Sequence, residues 1–313
     1  MPESDVRPDP IARRLAQGPL LVLDGGLATE LERRGADLAD PLWSARCLIE
    51  QPQLIRAVHL DYLRAGAEVI TTATYQASFE GFARRGLDRT TAVRLMRRAV
   101  ELARVARALS GAPALIAASV GPYGAVLADG SEYRGRYGLS DAALAAFHRP
   151  RLEVLAESGA DLIACETIPS LQEAEVLARL LEEVPHMSAW MSFSCRDEGH
   201  IAEGEAIDRC ARALEECTQL SAVGVNCTRP EFVQGLLERL HSATGKPLVA
   251  YPNSGERYDA HRKCWLDAPS SGRLETLATG WYRAGARLIG GCCRTSPADI
   301  AALRRVLGAL SLA

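Results

Sequence analysis

One pattern recurs along the whole chain. A short apolar run rich in Val, Ile, Leu and Ala ends in glycine or polar residues, and a segment of helical period follows. Eight such runs occur, at 20–24, 68–74, 114–120, 161–166, 187–194, 222–227, 247–251 and 287–292. Runs without apolar–polar alternation suit strands covered on both faces, as in a parallel sheet. Eight strand–helix units in 313 residues fit an α/β chain folded as one (β/α)8 barrel, the TIM barrel, in a single domain. An open doubly wound sheet stays as the alternative, because strand count alone does not prove closure. The chain has no Gly-x-Gly-x-x-Gly dinucleotide turn.

The helices between the runs carry their own punctuation. Segment 91–109 places Val93, Met96, Val100 and Ala103 on one stripe and its arginines elsewhere, which reads as a solvated helix face. Ser170-x-x-Glu173, Thr228-x-x-Glu231 and Ser296-x-x-Asp299 read as capping boxes or the Asp variant. Pro230 and Pro297 fall at or near first helical positions. Residues 1–18 are polar and Pro-containing and read as an N-terminal extension lying outside the core or capping it, with the barrel at 19–313. Two connections, 121–139 and 252–272, are long for a compact domain and read as lids, binding loops or disordered segments. Both follow strands, so both belong to the barrel face that carries active sites.

Composition narrows the partners. The balance of 36 basic and 39 acidic side chains gives no strong basic field, so nucleic acid is not an expected partner. No run is long enough to span a membrane and the N-terminal segment lacks a secretory pattern, so a soluble, cytoplasmic protein is expected. In that reducing compartment the nine cysteines are expected as thiols or metal ligands rather than disulfides.

Three of those cysteines stand out. Cys227 in GVNCT and the vicinal Cys292–Cys293 in GGCCRT each end a run, just before a helix start. In a closed barrel one strand separates the sixth from the eighth, so the three thiols converge on the mouth. Three thiolates with one position left over describe a catalytic zinc site, and soft ligands favour zinc over magnesium, calcium or manganese. Adjacent strand residues point to opposite faces, so both vicinal cysteines reach one metal only if the strand ends or distorts there. Gly290 and Gly291 would permit that. Cys47, Cys165, Cys210 and Cys217 read as small buried hydrophobes, and Cys195 and Cys264 adjoin loops without a clear role. A redox-active vicinal disulfide is the competing reading, and it leaves Cys227 unexplained.

Two acids end buried runs, Asp24 in LDGG and Glu166 in ACET. A buried acid is costly unless paired. The structural reading is a salt bridge or helix N-terminus contact. The functional one is a carboxylate pair gripping an ammonium group, with Gly25 and Gly26 offering N–H groups to a carboxylate. Tyr123, Tyr133, Tyr137, Tyr251, Tyr258 and Trp265 in or beside the long loops offer aromatic faces to a cation, or simply pack a lid in place.

These segments together resemble the homocysteine S-methyltransferases, and within them the bacterial enzymes that use S-methylmethionine. The resemblance runs from LDGGLATELERRG through ASVGPYGAVLADGSEYRG, ACET, GVNC and YPNSGE to RLIGGCCRT. It implies one zinc ion per chain on Cys227, Cys292 and Cys293, and homocysteine contacts from Asp24 and Glu166. Gly25 and Gly26 belong to the same substrate loop, and Tyr123, Tyr133 and Asn253 are candidates for the donor site or its lid. The implied reaction moves a methyl group from a sulfonium donor, S-methylmethionine or S-adenosylmethionine, to homocysteine and gives methionine. A zinc-ionised homocysteine thiolate is the nucleophile, and no protein general base is assigned. The alternatives are a zinc barrel acting on another thiol or as a hydrolase or lyase, and a non-catalytic vicinal-cysteine redox sensor.

Overall fold

The computed structural model describes residues 9–38, 44–259, 264–266 and 274–310. All eight apolar runs form strands. β1 (Leu21–Val22), β2 (Val69–Thr71), β3 (Leu115–Val120), β4 (Leu162–Ile168), β5 (Ala189–Phe193), β6 (Leu220–Asn226) and β7 (Leu248–Tyr251) are followed by a hairpin of β8 (Arg257–Asp259) and β9 (Cys264–Leu266), then by β10 (Ala286–Ile289). The eight-stranded sheet has the order β1-β10-β7-β6-β5-β4-β3-β2 and is parallel throughout. The Leu23–Val69 bridge, with the Asp24 N–H donating to the Val69 carbonyl at 3.0 Å, joins β1 to β2 and closes the barrel. The open-sheet alternative falls with that bridge.

Two apolar layers result. Leu21, Val69, Leu115, Leu162, Trp190 and Leu288 fill the barrel interior, while the opposite faces of the strands pack against the helices. The first described residues join the inner layer. Asp9 caps the short helix Pro10–Leu15 by accepting from the Ile11 N–H at 2.9 Å, and Ile11 is fully buried against the interior.

Capping follows the expected boxes unevenly. Ser296 and Asp299 form a reciprocal box at the start of Pro297–Leu310. Ser170 caps Leu171–Glu182, but the Glu173 side chain turns away to other partners. Thr228 is not a cap: its hydroxyl donates to the Asn226 carbonyl and accepts from Cys195 N–H, and Pro230–His241 starts after Arg229. Among the described residues no helix is long and apolar enough to cross a membrane.

Segment 121–139 is no open lid. It folds as a short helix, Tyr123–Leu127, and a 3-10 turn, Ser131–Tyr133. It is pinned by Gln76 Nε2 on the Ala125 carbonyl (2.6 Å), Ser194 Oγ on the Glu132 carbonyl (2.8 Å) and the Tyr123 N–H on Glu173 (2.6 Å). Segment 252–272 contains the β8–β9 hairpin; its residues 260–263 and 267–272, and the side chains of Tyr258, Cys264 and Trp265, lie outside the described residues.

Candidate metal centre and substrate cavity

In β6, Val223 and Val225 face the helices and Ala222 faces the interior. Alternation alone would send Cys227 outward, to the helix side. Instead Cys227 adopts φ 45°, a left-handed conformation that ends the strand and turns the side chain into the mouth. β10 ends earlier than the sequence run, at Ile289. Backbone pairing still continues, from Gly290 N–H to Ala250 and from Cys292 N–H to Pro252. The Thr295 N–H and hydroxyl then both close on the Cys292 carbonyl, at 3.2 and 2.6 Å, making the turn that lets Cys293 join Cys292. Gly290 and Gly291 are needed for close approach, not for a left-handed φ. A Cβ on Gly290 would stand 2.6 Å from that of Leu23, and one on Gly291 2.4 Å from Thr295 Oγ1.

The three sulfurs meet. Cys227 Sγ is 3.6 Å from Cys293 Sγ, Cys292 and Cys293 are 4.0 Å apart, and all three lie within 4.8 Å of one another. Sulfurs bonded tetrahedrally to zinc at about 2.3 Å stand about 3.8 Å apart, so this ligand set already has the spacing a zinc ion needs. Among the described residues no other group of three or more Cys, His, Asp or Glu side chains is this close. Hydrogen bonds from Cys292, Cys293 and Tyr133 hold the Cys227 thiol well below the ordinary value, while sharing that one negative charge pushes Cys292 and Cys293 up. Cys47, Cys165, Cys210 and Cys217 are buried thiols outside the cluster, as is half-buried Cys195. Burial, partly offset by Arg151, pushes Cys165 up to about 12.

The thiols open on a cavity of about 400 Å³ that Asp24, Gly25, Gly26 and Glu166 also line. Asp24, 4% exposed, accepts from the Thr71 N–H at 2.8 Å and from its hydroxyl at 3.2 Å. Glu166 keeps the inward parity of Leu162 and Ala164. A bulge between Cys165 and Ile168, with Thr167 at φ 62°, ends regular pairing just beyond it. The Ser119 hydroxyl and Tyr251 OH (3.0 Å) donate to its two oxygens. Burial, with the two acids repelling each other, lifts Asp24 to about 8; burial, with the charge on Cys227, lifts Glu166 to about 7. Among the described residues neither has a cationic side chain in ion-pair range. Gly26 donates its N–H to Thr295 Oγ1 at 3.1 Å; a Cβ on Gly25 or Gly26 would collide with Thr295 or the Cys292 carbonyl.

The donor-site candidates separate. Tyr133 lines the cavity and its hydroxyl lies 3.2 Å from Cys227 Sγ. Tyr123 packs edge-on against Tyr137 and Phe147, outside the lining residues. Asn253 is also outside them; its Nδ2 reaches the Cys227 carbonyl at 3.4 Å and its Oδ1 accepts from Gly255, so it braces a ligand loop. Tyr251 belongs to the strand rather than the lid, with its hydroxyl among Glu166, Ser192 and Trp190.

Sequence reasoning missed Asn226, Tyr75, Gln76 and Glu132. Asn226 binds Thr167 through both ends of its amide and accepts from Ser192, tying the bulge after Glu166 to the strand that carries Cys227. Its signal was a polar residue at an inward position of an apolar strand. Glu132, beside Tyr133, was visible in the ADGSEYRG loop but had no partner to suggest a role.

Residues 21–307 match the homocysteine S-methyltransferase family. The homocysteine S-methyltransferase of Escherichia coli (strain K12) is 51% identical over 303 residues, covering 95% of this chain and 98% of that protein. The Bacillus subtilis (strain 168) homocysteine S-methyltransferase YbgG is 50% identical over 301 residues, covering 93% and 96%. The crystal structure of the metallated form of the homocysteine methyltransferase MmuM from Escherichia coli superposes with a TM-score of 0.86 at 49% identity, covering 95% of this chain and 99% of that one. With the barrel closed, three thiols at its mouth and similarity over nearly its whole length, the chain belongs to the homocysteine S-methyltransferase family.

Proposed function

We propose that this protein transfers a methyl group from a sulfonium donor, S-methylmethionine by preference over S-adenosylmethionine, to the thiol of homocysteine, giving methionine, with one zinc ion held by Cys227, Cys292 and Cys293. The observation that carries this reading is the shared cavity: three thiols at zinc spacing stand on the same wall system as two buried acids without a cation. A bound zinc ion would ionise a thiol that shares it and fix that sulfur in place.

The chain's own residues supply orientation. Asp24 and Glu166 hold the homocysteine ammonium, whose charge offsets the cost of burying two carboxylates. Thr71, Ser119 and Tyr251 fix those carboxylates through hydrogen bonds. Tyr133 and Asn253 brace Cys227 from its sulfur and its carbonyl. Ionising a thiol of pKa about 8.5 at pH 7 is worth only about 2 kcal/mol. In-line orientation supplies roughly 7–11 kcal/mol, so positioning is the larger contribution. The thiolate nucleophile needs no protein general base. Three reduced thiols suit a cytoplasmic enzyme acting on small molecules.

The test is methionine formation from homocysteine with each donor, with and without a zinc chelator. Cys292→Ala should lose stoichiometric zinc and lower turnover by more than about a thousandfold. A zinc-free variant with full activity overturns the reading. A redox sensor on Cys292–Cys293 would purify without stoichiometric metal and show no turnover, and the all-thiol ligand set speaks against a hydrolase.

A further inference from the structure

Asp24 and Glu166 account for one end of the cavity. Part of the remaining wall comes from residues 27–38 after β1, and part from the segment after β2 and the ordered loop after β3; this second part carries two acceptors with nothing to accept. Glu132 Oε2 and Gln76 Oε1 are buried and without a hydrogen-bond partner. Both residues line the cavity. A buried acceptor left unmade costs free energy, so such groups call for an explanation.

The surroundings give one. The Gln76 amide is oriented by its Nε2, which donates to the Ala125 carbonyl at 2.6 Å and leaves Oε1 as the unused end. The Glu132 backbone is fixed by Ser194 Oγ on its carbonyl at 2.8 Å. The nearest cation in sequence, Arg134, pairs with Asp129 instead. Tyr75 and Tyr133 line the cavity beside them. This stretch offers one carboxylate, one amide oxygen and two aromatic rings, and among the described residues no lysine or arginine lines the cavity; such a set matches a ligand that is positively charged and rich in N–H donors. Glu132 is next in sequence to Tyr133, whose hydroxyl meets Cys227 Sγ at 3.2 Å, so this wall adjoins the thiol cluster.

We propose that Glu132 and Gln76 form a second ammonium subsite, which binds the α-amino group of an amino-acid methyl donor and thereby selects donors that carry one. The proposal rests on the sulfonium-donor reading above. It assigns Glu132 to the donor, as distinct from the Asp24–Glu166 pair assigned to the acceptor. The carboxylate side chain of Glu132 is a specificity residue and takes no part in bond making.

The test is Glu132→Gln, which keeps the shape and removes the charge. Steady-state rates are measured with homocysteine and S-methylmethionine. A dimethylsulfonium carboxylate lacking the amino group is then titrated as an inhibitor, so its affinity is read whether or not it reacts. The variant should raise KM for S-methylmethionine about tenfold or more. KM for homocysteine, zinc content and the inhibition constant of the amino-free sulfonium should stay within about twofold of the unaltered enzyme. Gln76→Met should shift KM for S-methylmethionine in the same direction by a smaller factor. Equal weakening of the amino-bearing and amino-free sulfonium compounds overturns the subsite, as does an unchanged KM for S-methylmethionine. No methyl transfer from S-methylmethionine by the unaltered, zinc-loaded enzyme is a different failure, and removes the donor reading itself.

Discussion

Glu166 and Glu173 lie seven residues apart, one near the end of β4 and one in the first turn of the helix that follows; both are buried, and they are built in opposite ways. Glu173 sits in a charge-balanced cluster. Its Oε1 is 2.8 Å from His148 Nε2, and Arg151 donates to His148 Nδ1 at 2.8 Å. Since Nδ1 accepts, the imidazole proton is on Nε2 and points at Glu173, so a neutral ring bridges a guanidinium and a carboxylate. Burial and the neighbouring Arg151 lower His148 to about 4, in keeping with that neutral form. Arg151 also lies over the Phe147 ring, 4.7 Å from its centroid. Glu166 and Asp24 have hydroxyl and backbone donors but, among the described residues, no cation. The first system balances its charge within the fold, although Glu173 Oε2 and Arg151 Nε and Nη1 are left without a hydrogen-bond partner. The second has no such balance, which is why a ligand ammonium is proposed to complete it.

The closed cluster has a local purpose. Arg151 donates to the Gly121 carbonyl and Glu173 accepts from the Tyr123 N–H, so the cluster anchors the start of the loop that ends in Glu132 and Tyr133. Removing one member strands a buried charge. Arg151→Leu is therefore expected to destabilise by about 3–5 kcal/mol, read as a fall in the denaturation midpoint. Glu166→Gln removes a charge that has no cationic partner and should leave the ligand-free midpoint unchanged or raised. Equal losses in the two variants would erase the distinction drawn between the sites.

The next effect reverses the order. Glu166→Gln should raise KM for homocysteine by roughly ten- to a hundredfold, the range of about 1.5–3 kcal/mol for a hydrogen bond to a charged group. Zinc content and the S-methylmethionine KM should change little. A variant with unaltered homocysteine saturation would take Glu166 out of the acceptor site. Conservative variants of His148 should shift both substrates together through the loop, which a contact residue would not do.

These contrasts also explain what was legible from sequence. Barrel strands are covered on both faces, so they read as unbroken apolar runs, and each of the eight became a strand. Cys227, Cys292, Cys293, Asp24 and Glu166 were visible because strand ends are where a barrel displays its chemistry, and position along a strand is a one-dimensional fact. Direction was harder. Alternation sends Cys227 to the wrong face, and only its left-handed backbone corrects this. Glu173 looked like half of a capping box because its partners, His148 and Arg151, stand 25 and 22 residues upstream on another helix. Tyr123 and Asn253 adjoin the right loops, yet tertiary contacts turn them to packing and bracing. The unpaired acceptors of Glu132 and Gln76 exist only as missing partners, which no sequence pattern records.

The smallest expected effect concerns pH, and here the two systems should differ in sign. Asp24 keeps its proton to about pH 8 in the fold and Glu166 to about 7, whereas in the unfolded chain both lose it near pH 4. Between those limits the folded form binds more protons, so stability falls as pH rises and levels off above about 8. His148 works the other way. Its folded value is lowered to about 4, so the unfolded chain takes up a proton near pH 6.5 that the folded ring refuses, and stability is lost as pH falls from there towards 4. Asp24→Asn should flatten the alkaline side alone. Water entering the ligand-free cavity screens part of the penalty, so the expected gain over the unaltered protein is about 1 kcal/mol between pH 6 and 8. The measurement is the denaturation midpoint of metal-free, reduced protein against pH. Parallel profiles for the variant and the unaltered protein on the alkaline side would mean that Asp24 is already ionised and compensated in the fold, and the open half of the comparison would close.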